Sequence, residues 1–162
     1  MEIEIKLAYD RKREIRELFS EYTNMLIDMD TQVAEYLSVQ NYEDELENLS
    51  VKYGMPYGRL YIAEVGGEPA GCVALRKLDH DNGEIKRLFV RPSFRGNKIG
   101  NQLMELVLEE AKKVGYKSVY LDTLPFLKEA IHMYEKLGFC QIDSYNNSPM
   151  ESAVYMKKEL NH

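Results

Sequence analysis

One stretch of this 162-residue chain concentrates groups that bind anions. Between Ile85 and Met104 there is no Asp or Glu, while Lys86, Arg87, Arg91, Arg95 and Lys98 are all basic, in a protein of formal net charge −6. At its centre lies the turn Arg95-Gly96-Asn97-Lys98-Ile99-Gly100, with a strand pattern before it and an amphipathic helix pattern after it. The first turn of a helix leaves amide hydrogens without intrahelical partners and carries a partial positive charge. A loop of small residues wrapped around it holds a diphosphate through backbone donors. Gly96 and Gly100 permit close approach, and Arg95 and Lys98 add charge-assisted contacts. The turn lacks the Gly-Lys-Ser/Thr ending of a P-loop and is not Gly-x-Gly-x-x-Gly. Two glycines around a helix start also make a plain turn, so the acid-free basic context is what favours a phosphate site.

The elements that must position this turn are legible from periodicity. Glu2 to Ala8 alternates Ile3, Ile5 and Leu7 with polar residues, the period of a half-buried strand. Asp10 stands where a helix N-cap belongs, followed by Ile15, Leu18, Phe19, Tyr22, Leu26 and Met29 at three- and four-residue spacing. A second helix is predicted around Asn41 to Leu49, then a loop from Lys52 to Gly58 punctuated by Gly54, Pro56 and Gly58. Three antiparallel strands follow, Leu60 to Val65, Pro69 to Leu78 and Glu84 to Val90, turning at Gly66-Gly67 and Asp81-Asn82-Gly83. After the basic turn comes a helix with Ile99, Leu103, Leu106, Val107, Ala111 and Val114 on one face, ended by Gly115. A strand from Lys117 to Asp122, a helix from Lys128 to Leu137 stopped by Gly138, and strands Phe139 to Ile142 and Ala153 to Lys157 complete the pattern. The result is a mixed α+β sheet with helices on its faces, in a single domain spanning 1–162.

Composition narrows the function classes. With 44% apolar and 30% charged residues, the chain closes one core and is neither disordered nor collagen-like. No apolar run approaches the roughly eighteen residues of a spanning helix, and the charged start is no signal peptide, so a soluble, cytoplasmic protein with no membrane partner is expected. Net acidity argues against a nucleic-acid partner. Cys72 and Cys140 lie far apart with no ligand-spaced His or Cys, so no metal site or disulfide is indicated. Cys72 reads as a buried filler, and His80 and His132 as structural or surface residues.

The run Glu84-Ile-Lys-Arg-Leu-Phe-Val-Arg-Pro-Ser-Phe-Arg-Gly-Asn-Lys-Ile-Gly100, together with Ala130-Ile-His-Met-Tyr-Glu-Lys-Leu-Gly-Phe139, resembles the acetyl-CoA signature and the C-terminal helix of the GNAT superfamily of N-acetyltransferases. The resemblance extends in element order over nearly the whole chain and is strongest from Gly83 to Phe139. It implies a mixed, mostly antiparallel sheet of about six to seven strands flanked by about four helices. The family loop is Arg/Gln-x-x-Gly-x-Gly/Ala. Arg95 and Gly100 match it, and Lys98 stands where its first glycine is usual, which a loop that binds through amides tolerates. By the same resemblance, acetyl-CoA is the co-substrate, held by Leu88, Phe89 and Val90 through their main chain and by Arg95, Gly96, Asn97, Lys98, Ile99 and Gly100. Leu127 stands where many members have a cofactor-contacting asparagine, so that contact is not carried over.

The implied activity is transfer of an acetyl group to a primary amine. Tyr134 matches the family tyrosine that protonates the departing thiolate, and a phenol of pKa near 10 is a sensible donor to a thiolate whose acid has pKa near 8.5. Tyr134 also falls on the apolar stripe of Leu127, Ala130, Ile131 and Leu137, where packing alone accounts for it. An alkylammonium must lose a proton before it can attack. Glu84 is the candidate base, directly or through water, with Asp122 as the reserve, and either carboxylate also suits binding a cationic substrate. No Gly-x-Ser-x-Gly is present and neither cysteine has an evident His partner, which favours direct attack over an acyl-enzyme. Tyr53, Tyr57 and Arg59, and Tyr145 with Asn146, are candidate acceptor-pocket residues, with Arg59 suited to a carboxylate. A small-molecule amine is the expected acceptor; a peptide or protein amine and a non-catalytic acetyl-CoA sensor are the alternatives. Members often form homodimers, and nothing in the sequence decides that point.

Overall fold

A computed structural model describes residues 2–29, 45, 47–145 and 153–160. Seven strands form one sheet: β1 (Ile3–Leu7), β2 (Arg59–Val65), β3 (Glu68–Lys77), β4 (Asn82–Val90), β5 (Ser118–Thr123), β6 (Cys140–Ile142) and β7 (Val154–Glu159), in the order β1-β2-β3-β4-β5-β7-β6. All neighbours are antiparallel except β4 and β5. That parallel pair needs a crossover, which the helix α3 (Ile99–Val114) supplies. The other helices are α1 (Lys12–Met29), the short α2 (Leu49–Tyr53) and α4 (Lys128–Lys136). No helix of the described residues is long and apolar enough to cross a membrane.

Strand alternation divides the core between the two faces of the sheet. Leu60 and Ile62 of β2 and Cys72 and Ala74 of β3 pack with Ile15, Leu18 and Phe19 of α1 and with Leu49 and Tyr53. Tyr61 and Ala63, and Val73 and Leu75, pack on the other face with Leu103, Met104, Val107 and Ala111 of α3 and Tyr134 of α4. Strand β4 breaks this parity. In a regular strand Ile85 and Phe89, four residues apart, share a face. Here Ile85 joins the α3 side and Phe89 the α1 side. The cause is a β-bulge: Cys72 pairs with Phe89 but Ala74 with Lys86, so Val73 faces two residues, and Arg87 sits at φ 60.

Some predicted boundaries move for physical reasons. The Asn82-Gly83 pair opens β4 instead of forming its turn. The turn is made by Asp79, whose Oδ1 accepts from the Asp81 and Asn82 amides at 3.0 Å each. Gly83 is needed for space, since a Cβ there would stand 2.8 Å from the Tyr116 ring. Helix α1 begins at Lys12, after Arg11 instead of Asp10, and Arg11 forks onto Glu64 of β2. The helix predicted around Asn41 to Leu49 falls mostly outside the described residues, and α2 lies just beyond it.

Candidate active site

The parallel ladder between β4 and β5 is three pairs long, from Asn82↔Ser118 to Glu84↔Tyr120. Beyond Glu84, β4 bulges and stays with β3, while β5 continues against β7 to Thr123. The sheet therefore splits along the β4 edge, and a cleft of about 660 Å³ opens there. Leu88, Phe89 and Val90 form one wall, Lys128, Ala130, Met133 and Tyr134 another, and Tyr22, Met25 and Met29 of α1 close over it. Arg95, Gly96, Lys98, Ile99 and Gly100 form its end, so eight of the nine residues expected to hold the co-substrate meet in this cleft. The ninth, Asn97, instead tightens the turn, its side-chain amide donating to Phe94 O at 3.0 Å.

The basic turn has the features of an anion cradle. Lys98, the N-cap of α3, is left-handed at φ 61, ψ 23, no side chain caps the helix, and its first turn holds no acid. Gly96 has φ 88. The glycine usual in the family loop at position 98 thus meets a conformational need that lysine fulfils at a cost of about 1–2 kcal/mol. A Cβ on Gly100 would stand 3.6 Å from Met133 Sδ and 3.8 Å from Val90 Cγ2, facing into the gap between β4 and α4. Arg95 donates from Nε to Val90 O at 3.1 Å, tying the turn to the end of β4. An uncapped helix end, an acid-free rim and an unpaired strand edge fit the diphosphate and amide-bearing arm of acetyl-CoA.

Tyr134 is buried at 7% exposure, its ring 5.9 Å from that of Phe139, and it makes no hydrogen bond to the described residues. Burial, reinforced by Tyr22 and Asp122, pushes its hydroxyl well above the ordinary phenol range, so it stays protonated. Glu84 is 2% exposed at the point where β4 and β5 part. Its Oε1 accepts from Arg76 Nε at 2.6 Å and its Oε2 from Tyr145 Oη at 2.7 Å. Burial alone raises its pKa, but Lys86, Arg76 and Tyr145 outweigh that and hold it below the usual carboxylate range. Asp122 borders a smaller cleft of about 40 Å³ with Lys86 and Arg87, and Tyr22 lines both clefts.

Not every candidate gathers here. Tyr57 is half exposed under Lys77, whose Nζ is 4.5 Å from its ring, and its carbonyl accepts from Tyr116, so it is held away from the cleft. Tyr53 is core, edge-on to Phe19, with a fully buried side chain. Arg59 is spent on Glu110 and on the carbonyls of Pro56 and Gly58. Asn146 lies outside the described residues. Cys72 is a fully buried thiol donating to Arg87 O at 3.3 Å, and burial pushes its pKa up. Among the described residues no cluster of His, Cys, Asp or Glu is arranged to hold a metal ion.

Sequence reasoning gave no site role to Tyr22 or Glu45, and it named Lys86 and Arg87 only as part of the basic stretch. Tyr22 read as one more residue of the α1 stripe, yet it reaches both clefts, stacks at 5.5 Å on Phe89, and is pushed by burial to a pKa of about 12. Glu45 receives Arg87 at 2.7 and 3.0 Å and Lys52 at 2.7 Å. No local signal marks such a long-range pairing.

Comparison with known proteins bears on this arrangement directly. The sequence model described as the acetyltransferase (GNAT) family matches residues 13–139. The chain is 39% identical over 126 residues to an uncharacterised N-acetyltransferase of Schizosaccharomyces pombe, covering 76% of this chain and 77% of that one. Among solved structures, an acetyltransferase of Streptococcus agalactiae superposes with TM-score 0.78 at 25% identity, covering 98% of both chains. A GNAT acetyltransferase of Elizabethkingia anophelis with acetyl-CoA bound superposes with TM-score 0.55 at 28% identity, covering 64% of this chain and 76% of that one.

Proposed function

We propose that this chain, which belongs to the GNAT family of acetyltransferases, is a single domain that transfers an acetyl group from acetyl-CoA to the primary amine of a small molecule by direct attack. The observation that carries the reading is the split between β4 and β5, which opens onto the uncapped start of α3 with Tyr134 on the facing wall.

Acetyl-CoA supplies a thioester whose carbonyl carbon bonds to the amine nitrogen as its C–S bond breaks. The amides at the start of α3, with Arg95 and Lys98, hold the diphosphate, and the main chain of Leu88 to Val90 pairs with the arm. Glu84, ionised at neutral pH, takes the proton that the ammonium must lose before attack, through a water because both its oxygens are engaged. Tyr134, held protonated, gives its proton to the sulfur as the thiolate leaves, and is reprotonated through solvent by the second proton, which the acylated nitrogen sheds to become the amide. Asp122 and Tyr145, near Glu84, border the acceptor. The test is release of CoA thiol from acetyl-CoA across a panel of primary amines, with the acetylated product identified by mass. Acetyl-CoA binding without amine-dependent thiol release would leave a sensor and not an enzyme.

A further inference from the structure

We infer that the acceptor is an amino-carboxylate, and that Lys86 holds its carboxylate in the small cleft beside Asp122; this deepens the acetyltransferase reading and rests on it.

The warrant is a buried charge that no carboxylate among the described residues meets at hydrogen-bond distance. Four cations, Lys52, Arg76, Lys86 and Arg87, converge where β4 leaves β5, against the carboxylates of Glu45 and Glu84. Arg87 and Lys52 take both oxygens of Glu45, and Arg76 and Tyr145 take both of Glu84. Lys86 has no such bond among the described residues. Its side chain is only 8% exposed, and its nearest carboxylate oxygen, Glu84 Oε1, is 3.9 Å from Nζ, beyond hydrogen-bond reach. A buried ammonium without a hydrogen-bonded counter-ion is unfavourable, and it is an anion site if a ligand can reach it.

A ligand can. Lys86 and Asp122 line the same cleft of about 40 Å³, room for a carboxylate and not for a ring, and Tyr22 lines both this cleft and the main one. An ammonium directed at Asp122 and a carboxylate at Lys86 answer both charges of one zwitterion. Lys52 reports the same surplus, its pKa lowered to about 8 by burial and by the charges of Lys86 and Arg87 against the pull of Glu45. Lys86 is also the foremost charge that lowers Glu84 against its burial. A carboxylate arriving at Lys86 relieves that pull and makes Glu84 a better proton acceptor once the acceptor is bound.

The test pairs each of several α-, β- and γ-amino acids with the matched amine lacking the carboxylate and with its carboxamide, and with the matched aminophosphonate. CoA release gives kcat/KM, and thermal stabilisation in the presence of CoA gives binding. The expected result is at least a tenfold preference for the carboxylate over amine, carboxamide and phosphonate. In Lys86→Met that preference falls within threefold while acetyl-CoA still stabilises the protein, and Lys86→Arg restores it. Equal use of matched amines by the wild type, a phosphonate preference, or a preference unchanged in Lys86→Met overturns this inference alone. Where no pair turns over, absence of selective stabilisation by the amino acids overturns it. Failure of acetyl-CoA to stabilise the protein, with no thiol release from any amine, overturns the acetyltransferase reading and this inference with it.

Discussion

Tyr134→Phe removes one oxygen from a ring that is 7% exposed and has no hydrogen-bond partner among the described residues. The ring lines the cleft and its hydroxyl is not among the described buried polar atoms left without a partner, so deleting it should change the stability of the fold by no more than about 1 kcal/mol. Chemistry should respond far more strongly. Loss of a positioned proton donor lowers a rate by about 10²–10⁴, which is roughly 2.7–5.4 kcal/mol of barrier. The expected variant therefore melts within about 4 °C of the wild type, keeps its KM for acetyl-CoA within about threefold, and loses at least about 100-fold in kcat. Thiol release at saturating amine measures the rate, and a thermal scan of the same preparation measures the fold. Because burial holds the Tyr134 hydroxyl well above the ordinary phenol range, wild-type activity should also show no alkaline fall from its ionisation up to about pH 10. A kcat within about threefold of wild type would refute the proton-donor role and return Tyr134 to simple packing.

Other perturbations probe the supports of the site. Glu45 has its pKa lowered to about 2 from 4.5, since Arg87 and Lys52 overcome the effect of burial. The stability it confers is fully present above pH 4.5 and lost as pH falls from there towards 2, on the order of 3 kcal/mol from that shift, of which about 2 kcal/mol is gone by pH 3, so denaturant melts at pH 6 and pH 3 should differ by at least about 2 kcal/mol. A Cβ on Gly71 would lie 2.6 Å from Phe89 O, so Gly71→Ala must displace the bulged part of β4; a loss of about 2 kcal/mol or more and weaker acetyl-CoA binding should appear together in thermal scans. Lys98→Gly removes left-handed strain of about 1–2 kcal/mol but adds a comparable unfolded-state entropy, so its melting temperature should stay within about 3 °C. Its acetyl-CoA stabilisation should persist, because backbone amides hold the diphosphate; loss of that stabilisation would move the role to the Lys98 ammonium.

The fold was legible where periodicity is local. The alternation in β1 to β3, the α3 stripe and the Gly115 stop were read close to their observed ends, and the seven strands and four helices among the described residues match the expectation. The basic turn was legible because charge and glycine both mark it. The bulge at Arg87 was not, for nothing in Ile85 to Phe89 announces the parity change that sends Phe89 to the α1 face. It arises from pairing with β3, a tertiary event. Likewise Lys98 hides a left-handed position that a glycine would have advertised. The loop from Lys52 to Gly58 looked like a pocket rim because of its tyrosines and arginine, yet Tyr53 is core and Arg59 braces Glu110. Side-chain type in a loop does not say which way it faces. The hydrogen-bond partners of Glu84 and Glu45 join residues 7 to 61 positions apart, a range no local pattern encodes.

The most direct measurement is thermal unfolding at fixed protein concentration with acetyl-CoA, CoA or NADP, for the wild type and for Gly100→Val, whose added methyls would occupy the gap beside Met133 and Val90. At about a hundred times the dissociation constant a ligand adds roughly 2.7 kcal/mol, which for a chain of this size raises the melting temperature by about 5–10 °C. The account predicts that rise for the wild type with acetyl-CoA and CoA, none with NADP, and its loss in Gly100→Val at an otherwise unchanged melting temperature. No rise at millimolar acetyl-CoA, or an equal rise in Gly100→Val, would contradict binding in the split between β4 and β5.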